Sequence, residues 1–199
     1  MNKRKVQKEA TAARIFAAAM ELFQTQGYRA TTVEQITQRA GVAKGTFFTH
    51  FPSKEAVLNH VGDEQMQRVN TTIAAAGGFA AWPVREQLKL IYRSLGEGVT
   101  QNAPFVRTLA IEALVQQSLL DYDAANISAL DALLATIISA AQARGEIRSG
   151  SSAAEVATLL RGVYFVAIIT WFQQGDVPFT PIALRYLDLV LDGIDTKSG

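Results

Sequence analysis

The sequence predicts an all-α protein of about nine helices. It is rich in Ala, Leu, Gln and Glu, which favour the helix, and 49% of its 199 residues are hydrophobic. Apolar residues recur at steps of three and four, and no alternating pattern long enough for a β-strand is present. Because Cys is absent and His occurs only twice, disulfides, thiolate metal sites and a Cys nucleophile are excluded, and no metal or cofactor is expected.

Charge is distributed unevenly along the chain. Residues 1–54 contain nine Lys or Arg and three Glu, whereas residues 55–199 contain ten Lys or Arg and fifteen Asp or Glu. A basic N-terminal segment favours a polyanionic partner, although a merely solvated basic surface is the alternative. No signal peptide or membrane span is expected, and the predicted location is the cytoplasm.

The first predicted helix covers residues 5–26, and Gly27 is expected to end it because glycine adopts positive φ without steric cost. Apolar residues at three- and four-residue steps form its predicted buried face: Ala13, Phe16, Met20 and Phe23.

Two short helices with a glycine between them follow. One begins at Thr31 or Thr32, each of which fits a capping box, and continues to about residue 40. Gly41 permits a sharp turn, and the next helix, over residues 43–49, ends before Pro52. Such a pair, braced by a third helix, is typical of a helix-turn-helix unit, whose second helix lies in the DNA major groove.

The remaining chain predicts further helices separated by breaks rich in Gly, Pro and Asn. They cover residues 53–75, 84–101, 105–120, 124–144, 152–174 and 181–194. The predicted domains are a helix-turn-helix domain over residues 1–52 and a helical domain over residues 53–199.

Two segments resemble the TetR family of transcription regulators. Residues 27–36 read GYRATTVEQI and are similar to the family pattern G-y-x-x-T-T-v-x-x-I. Residues 41–55 read GVAKGTFFTHFPSKE and are similar to G-V-S-K-G-T-L-Y-x-H-F-x-S-K-E. The resemblance extends over residues 10–60. It implies a dimeric regulator, most often a repressor, that binds a pseudo-palindromic operator in double-stranded DNA.

The resemblance also implies which residues contact DNA, through base edges or through phosphates. The implied set is Thr31, Thr32, Lys44, Gly45, Thr46, Phe48, Thr49, His50 and Lys54. Phe48 replaces the usual Tyr, so it contacts DNA through apolar atoms or packs. Thr37 replaces the usual Ala, and its hydroxyl needs a partner if it is buried. The alternative for each polar residue is a solvated surface side chain, and His60 is predicted to be structural.

Residues 61–199 contain no nucleophile elbow, phosphate-binding loop, dinucleotide motif or zinc-protease motif, so an enzyme is not expected. TetR-like proteins typically form dimers through their last two long helices, which correspond here to residues 153–174 and 181–195. Both segments are strongly apolar, and the alternative is an ordinary pair of core helices.

A small-molecule pocket in the C-terminal domain is implied by the resemblance. Its candidate lining is Tyr92, Phe105, Leu109, Glu112, Gln116, Tyr122, Tyr164, Phe165 and Trp171. Plain core packing is the alternative for every aromatic residue in this set. Glu112 lies in an apolar run and needs a partner if buried, which would be an arginine (Arg107, Arg93 or Arg161) or a cationic ligand. Arg161 is a second candidate for a buried charge, and a structural ion pair is the alternative for it.

The sequence therefore favours a ligand-responsive repressor that a small hydrophobic or amphipathic effector releases from its operator. Two alternatives stay open: a DNA-binding protein of the same type without an effector, and a helical protein-interaction module.

Overall fold

The computed structural model describes residues 3–79, 82–104, 106–107, 124–175 and 177–194. Eight α-helices and no β-strand element occur in these ranges, which confirms the predicted fold class. The helices are α1 (Lys3–Gln26), α2 (Val33–Ala40), α3 (Lys44–His50), α4 (Glu55–Ala75), α5 (Val84–Gln101), α6 (Ala124–Ala143), α7 (Ala153–Gln174) and α8 (Phe179–Ile194). The predicted helix over residues 105–120 lies outside the described residues except for 106 and 107.

The described residues divide into two compact units. The first contains residues 3–61 and the described part of 103–123, and the second contains residues 62–102 and the described parts of 124–199. The predicted domain boundary after residue 52 lies earlier than this division. The first turns of α4 account for the difference, because Val57, Leu58 and Val61 belong to the buried core of the first unit.

The core of the first unit is built from α1, α2, α3 and the start of α4. Its fully buried side chains include Ile15, Phe23, Ile36, Phe47 and Val57. The predicted apolar face of α1 needs one correction, because Ala13 is exposed. The face that is buried contains Ile15 and Ala19 instead, and a pattern shifted by one residue has the same three- and four-residue steps.

Local side-chain chemistry fixes both ends of α2. The Thr32 hydroxyl accepts a hydrogen bond from the Gln35 amide at 3.2 Å, and the Gln35 side chain accepts one from the Thr32 amide at 2.8 Å. This reciprocal capping box confirms the start at Thr32 rather than at Thr31. Gly41 ends the helix in the left-handed region, at φ 65°, where a side chain would be strained.

In the second unit, α5 packs against α6 and α8, and α7 packs against α6 and α8. Leu88, Ile91, Leu134, Ile138 and Leu160 form part of its buried core. The last helix begins at Phe179, two positions before the predicted start at Pro181. Proline is compatible with the first turn of a helix because the amide it lacks has no intrahelical partner there.

Ion pairs tie helices of the second unit together. Arg85 of α5 contacts Asp188 at 2.8 Å and Asp192 at 2.7 Å on α8, and Lys89 contacts Asp188 at 3.0 Å. Burial alone would raise the pKa of Asp188, but hydrogen bonds from Lys89 and Arg85 outweigh it and lower the pKa. The charge network therefore stabilises the α5–α8 contact while Asp188 is ionised.

The helix α7 is long and apolar enough to cross a membrane by length and composition, and it is the one such helix in the described ranges. A core helix of a globular protein has the same properties. Here Ala157, Leu160, Ala167 and Trp171 are buried within the unit, so burial in this chain accounts for one apolar face of the helix.

Candidate nucleic-acid interface

Two consecutive aromatic residues of α3 point in opposite directions, Phe47 into the core and Phe48 towards the surface. Phe47 is fully buried in the core of the first unit, whereas Phe48 is 47% exposed. Their rings are in edge contact, with centroids 5.3 Å apart. Because Phe47 anchors α3, the opposite side of this short helix is available to a partner.

Six of the nine predicted DNA contacts lie on α3. Four of them are exposed: Lys44, Gly45, Phe48 and Thr49. Thr46 and His50 are half-buried. The Thr49 hydroxyl donates to the Gly45 carbonyl at 2.9 Å, which leaves its oxygen able to accept a hydrogen bond. The exposed side of α3 thus combines a cation, a glycine, an apolar ring and a hydroxyl.

An ion pair crosses the turn between α2 and α3. Lys44, the first residue of α3, contacts the Glu34 carboxylate of α2, and both side chains are largely exposed. The hydrogen bond from Lys44 is the largest effect on Glu34 and lowers the pKa of its carboxyl group. The Lys44 ammonium is therefore oriented by an acid within the helix-turn-helix unit.

Two threonines expected at the interface have local roles. Thr31 is only 1% exposed, and its hydroxyl donates to the Gly27 carbonyl at 2.8 Å. Burial of this side chain argues against a contact with phosphate, so Thr31 leaves the proposed set. Thr32 is exposed and caps α2. The substituted Thr37 is buried, and its hydroxyl finds a partner in the Glu34 carbonyl at 2.9 Å.

Lys54 also differs from its predicted role. Its ammonium donates to the carbonyls of Tyr28 and Thr31, at 2.8 and 2.9 Å, and lies 4.1 Å from the centroid of the Tyr28 ring. These contacts tie the residue before α4 to the α1–α2 connection. These contacts give Lys54 a structural role, with which the predicted phosphate contact has to compete.

Tyr28 and Glu55 complete this cluster, which sequence reasoning missed. The Tyr28 hydroxyl donates to the Glu55 carboxylate at 2.8 Å. Burial alone would raise the pKa of Glu55, but its backbone, Tyr28 and Ser53 hydrogen bonds outweigh burial and lower the pKa. Both residues belong to the two recognisable segments, but those segments do not indicate which side chains meet.

His60 is structural, as predicted. Its ring makes edge contacts with Phe16 and Phe51, at centroid distances of 5.0 and 5.8 Å.

Three of the predicted effector-lining residues meet in the second unit. Tyr92, Tyr164 and Trp171 are buried, and Tyr164 and Trp171 both contact the ring of Phe179, a residue outside the predicted set. The Tyr92 hydroxyl donates to the Leu160 carbonyl at 2.6 Å, and burial raises its pKa. Because the Trp171 indole also donates to a carbonyl, that of Val177 at 2.8 Å, these polar groups hold the core together.

The other predicted lining residues fall into two groups. Phe165 is half-buried beside Tyr164, with ring centroids 5.9 Å apart. Outside the described residues lie Phe105, Leu109, Glu112, Gln116 and Tyr122. Arg161 pairs with Asp131 at 2.8 Å, so the structural ion pair considered for it is the one found.

Comparison with known proteins addresses the first unit most directly. The sequence model described as "Bacterial regulatory proteins, tetR family" matches residues 15–61, which contain the helix-turn-helix and the buried residues that support it. Residues 15–61 therefore form a unit of the TetR type, and the chain as a whole is similar to regulators of that family. This confirms a DNA-binding helix-turn-helix of the TetR type at its N-terminus.

Relatives of this chain match it over different lengths. The uncharacterised regulator YuxN of Bacillus subtilis is 33% identical over 87 residues, 42% of this chain but only 30% of the relative. The chain thus spans about a third of that protein. The fatty acid metabolism regulator protein of Bacillus subtilis is 27% identical over 198 residues, 92% of this chain and 95% of the relative.

The solved structures extend the likeness to the whole fold. The TetR-family repressor FadR of Thermus thermophilus, solved in complex with lauroyl-CoA, aligns with a TM-score of 0.68 and 26% identity. The alignment covers 94% of this chain and 97% of FadR. The N-terminal helix-turn-helix and the helical C-terminal part therefore follow the family's arrangement of helices.

Proposed function

We propose that this protein is a cytoplasmic, homodimeric transcriptional repressor that a small amphipathic effector releases from DNA. The observation that carries the DNA-binding part is the exposed side of α3, held outward because Phe47 is buried beneath it. An α-helix of this kind fits the major groove. The proposed contacts are Thr32, Lys44, Gly45, Thr46, Phe48, Thr49 and His50. The proposed DNA-binding domain extends to residue 61, where the first core ends.

Dimer formation is supported by an apolar groove on the second unit. Its lining comes from α7 and α8 and includes Leu159, Val163, Val166, Tyr186 and Leu189. Leu159, Val166 and Leu189 are 51%, 52% and 62% exposed, which is unusual for large apolar side chains on neighbouring helices. A second copy related by two-fold symmetry would cover this face with the same face of its own, because an isologous contact is self-complementary.

An effector with a long apolar part is supported by the relatives. The Thermus thermophilus repressor binds lauroyl-CoA, and the Bacillus subtilis relative is a regulator of fatty acid metabolism. Release then requires that the effector binds more tightly to a form of the dimer that cannot engage both half-sites. The helix α4 is suited to this role, since it begins in the first unit and ends in the second.

The test is equilibrium DNA binding by the purified full chain. Fluorescence anisotropy would follow binding to the DNA flanking its own gene, with random DNA as competitor, over a salt series. The proposal expects specific binding with a steep salt dependence and release on addition of lauroyl-CoA. Equal affinity for both DNAs would contradict operator recognition, and specific binding that no acyl compound weakens would instead favour a regulator without such an effector.

A further inference from the structure

One buried nitrogen of the second unit, on a half-buried arginine, has no hydrogen-bond partner. Among the described residues, Nε of Arg68 is the one buried side-chain nitrogen or oxygen without a hydrogen-bond partner. A buried polar group left unsatisfied is costly, and more so when it carries charge. The anomaly marks Arg68, on α4, as a place where a partner is missing.

Two arginines of this unit that do have partners show what kind of group could pair with Arg68. Arg85 contacts two aspartates of α8, and Arg161 contacts Asp131. In both cases a carboxylate satisfies the guanidinium, whose planar donor groups match the oxygens of carboxylate or phosphate. A group of that chemistry would complete Arg68.

The surroundings of Arg68 are formed by the polar side of α4 that faces α5. Gln65 packs so closely on Gly98 that a Cβ added there would lie 3.1 Å from its side chain. Thr72 shares a hydrogen bond with Ser94 at 3.3 Å. Arg68 is three residues after Gln65 and four before Thr72, so all three lie on the same face of the helix.

Apolar core lies beside this polar strip, whose three side chains are half-buried. Val69, next to Arg68, is fully buried, and so are Leu95 and Val99 of the facing helix. Gln65, one turn before Arg68 on the same face, has an amide group that can donate hydrogen bonds. Apolar surroundings with a few placed donors are typical of a site for an amphipathic small molecule.

We propose that Arg68, flanked by Gln65 and Thr72, binds an oxyanion at the polar end of the effector, a carboxylate or a phosphate. The inference rests on the proposed ligand response and narrows its effector from amphipathic compounds in general to anionic amphiphiles. Because Arg68 lies on α4, whose first residue Glu55 accepts a hydrogen bond from Tyr28, the anion would bind directly to the helix that enters the first unit.

The test compares three probes with the same twelve-carbon chain: dodecanoate, lauroyl-CoA and neutral 1-dodecanol. Calorimetric titration would use the full chain freed of bound lipid, as wild type, Arg68→Met and Arg93→Met. Arg93 is an exposed arginine of the same unit and controls for general charge attraction. Arg68→Met should weaken binding of dodecanoate, of lauroyl-CoA or of both about tenfold or more and leave the affinity for dodecanol unchanged. Arg93→Met should change none of these affinities.

Thermal unfolding of the ligand-free variants distinguishes a ligand-binding arginine from a purely structural one. Since the buried Nε of Arg68 lacks an acceptor without ligand, Arg68→Met should unfold at the same temperature as the wild type or higher. Clear destabilisation would overturn the proposal, because it would mean that Arg68 already has its partner within the fold.

The three probes also distinguish a carboxylate from a phosphate as the bound group. They further distinguish failure of the anion site from failure of the proposed acyl effector. Loss confined to dodecanoate assigns a carboxylate, and loss confined to lauroyl-CoA assigns its phosphates. Unchanged anion affinity in Arg68→Met, or dodecanol binding as tightly as both anions, overturns the anion site while the ligand response stands. If no probe binds the wild type, the proposed acyl effector fails, and the anion site fails with it.

Discussion

Around α3 the first unit presents polar and charged side chains at its surface, whereas the second unit uses two of its arginines to join helices. Around α3, Lys44 and Thr49 are exposed and supported from below by buried Phe47. In the second unit, Arg85 and Arg161 are committed to aspartates of neighbouring helices. A function displayed on a surface helix can therefore be recognised locally, whereas a function in a helical interior depends on long-range packing.

The largest effect should come from the adjacent residues Phe47 and Phe48. Phe47 supports α3 from the core, whereas Phe48 is proposed to contact DNA. Phe47→Ala should destabilise the first unit by about 3–5 kcal/mol and abolish DNA binding, because it removes a fully buried ring. Phe48→Ala should change stability by less than about 0.5 kcal/mol and weaken DNA binding alone. Urea unfolding and anisotropy would measure both, and equal loss of stability in the two variants would contradict the assigned roles.

The apolar groove of the second unit predicts the next effect. Leu189→Glu should leave the protein mostly monomeric and reduce operator affinity by about tenfold or more, because a charge would be buried at the proposed dimer contact. Light scattering after gel filtration would report the mass. Ala154→Glu adds the same charge at an exposed position of α7 outside the groove and should remain dimeric. A dimeric Leu189→Glu would place the contact elsewhere.

The turn of the helix-turn-helix unit predicts a smaller change. Gly41→Ala should cost about 1–2 kcal/mol, since its φ of 65° is unfavourable for a residue with a side chain. The control is Gly45→Ala, where an added Cβ meets no atom within 4 Å. That variant should match or exceed wild-type stability but bind DNA more weakly, because its methyl group lies on the proposed interface. Thermal unfolding distinguishes the two glycines.

The ion-pair network of the second unit predicts a pH dependence. The folded protein lowers the pKa of Asp188, so the stabilisation is present at neutral pH and is lost as the pH falls below about 4. Asp188→Asn should be less stable at pH 7, by under about 1 kcal/mol because the carboxylate is partly exposed. The difference from wild type should shrink as the solution is acidified. A difference independent of pH would exclude ionisation as its source.

The pair of Glu34 and Lys44 predicts the smallest effect, on DNA binding alone. Glu34→Gln removes a negative charge beside the proposed interface and should strengthen binding about two- to fivefold. The same substitution in a Lys44→Met background should have less effect if Glu34 acts by holding Lys44. Glu21→Gln, which breaks the exposed pair with Arg39, is the matched control and should leave affinity unchanged. Additive effects of the two substitutions would show that they act independently.

The sequence predicted the first unit well because its signals are local. The capping box at Thr32 and the glycine turn at residue 41 depend on neighbours within a few positions, and both were confirmed. Side-chain direction was less predictable. Thr31 is buried, and Lys54 is bound to backbone carbonyls more than twenty positions away in the chain, contacts that a linear pattern does not contain.

The second unit shows what periodicity cannot provide. The apolar character of α7 was evident, but two of the aromatic residues noted there, Tyr164 and Trp171, are buried within the chain. The exposed apolar face is the one that contains Leu159 and Val166. When a helix is apolar around most of its circumference, only the packing of the folded chain distinguishes its core side from an interface.

The measurement that tests the central claim most directly is a dimethyl sulfate footprint of the full chain on its operator, which reports guanine N7 in the major groove. A dimer that reads DNA through α3 should give two protected patches related by two-fold symmetry, with centres about 34–36 Å apart or a multiple of one helical turn. Phe48→Ala should weaken both patches together. A single protected patch, or protection confined to the minor groove, would contradict a dimer that reads DNA through α3.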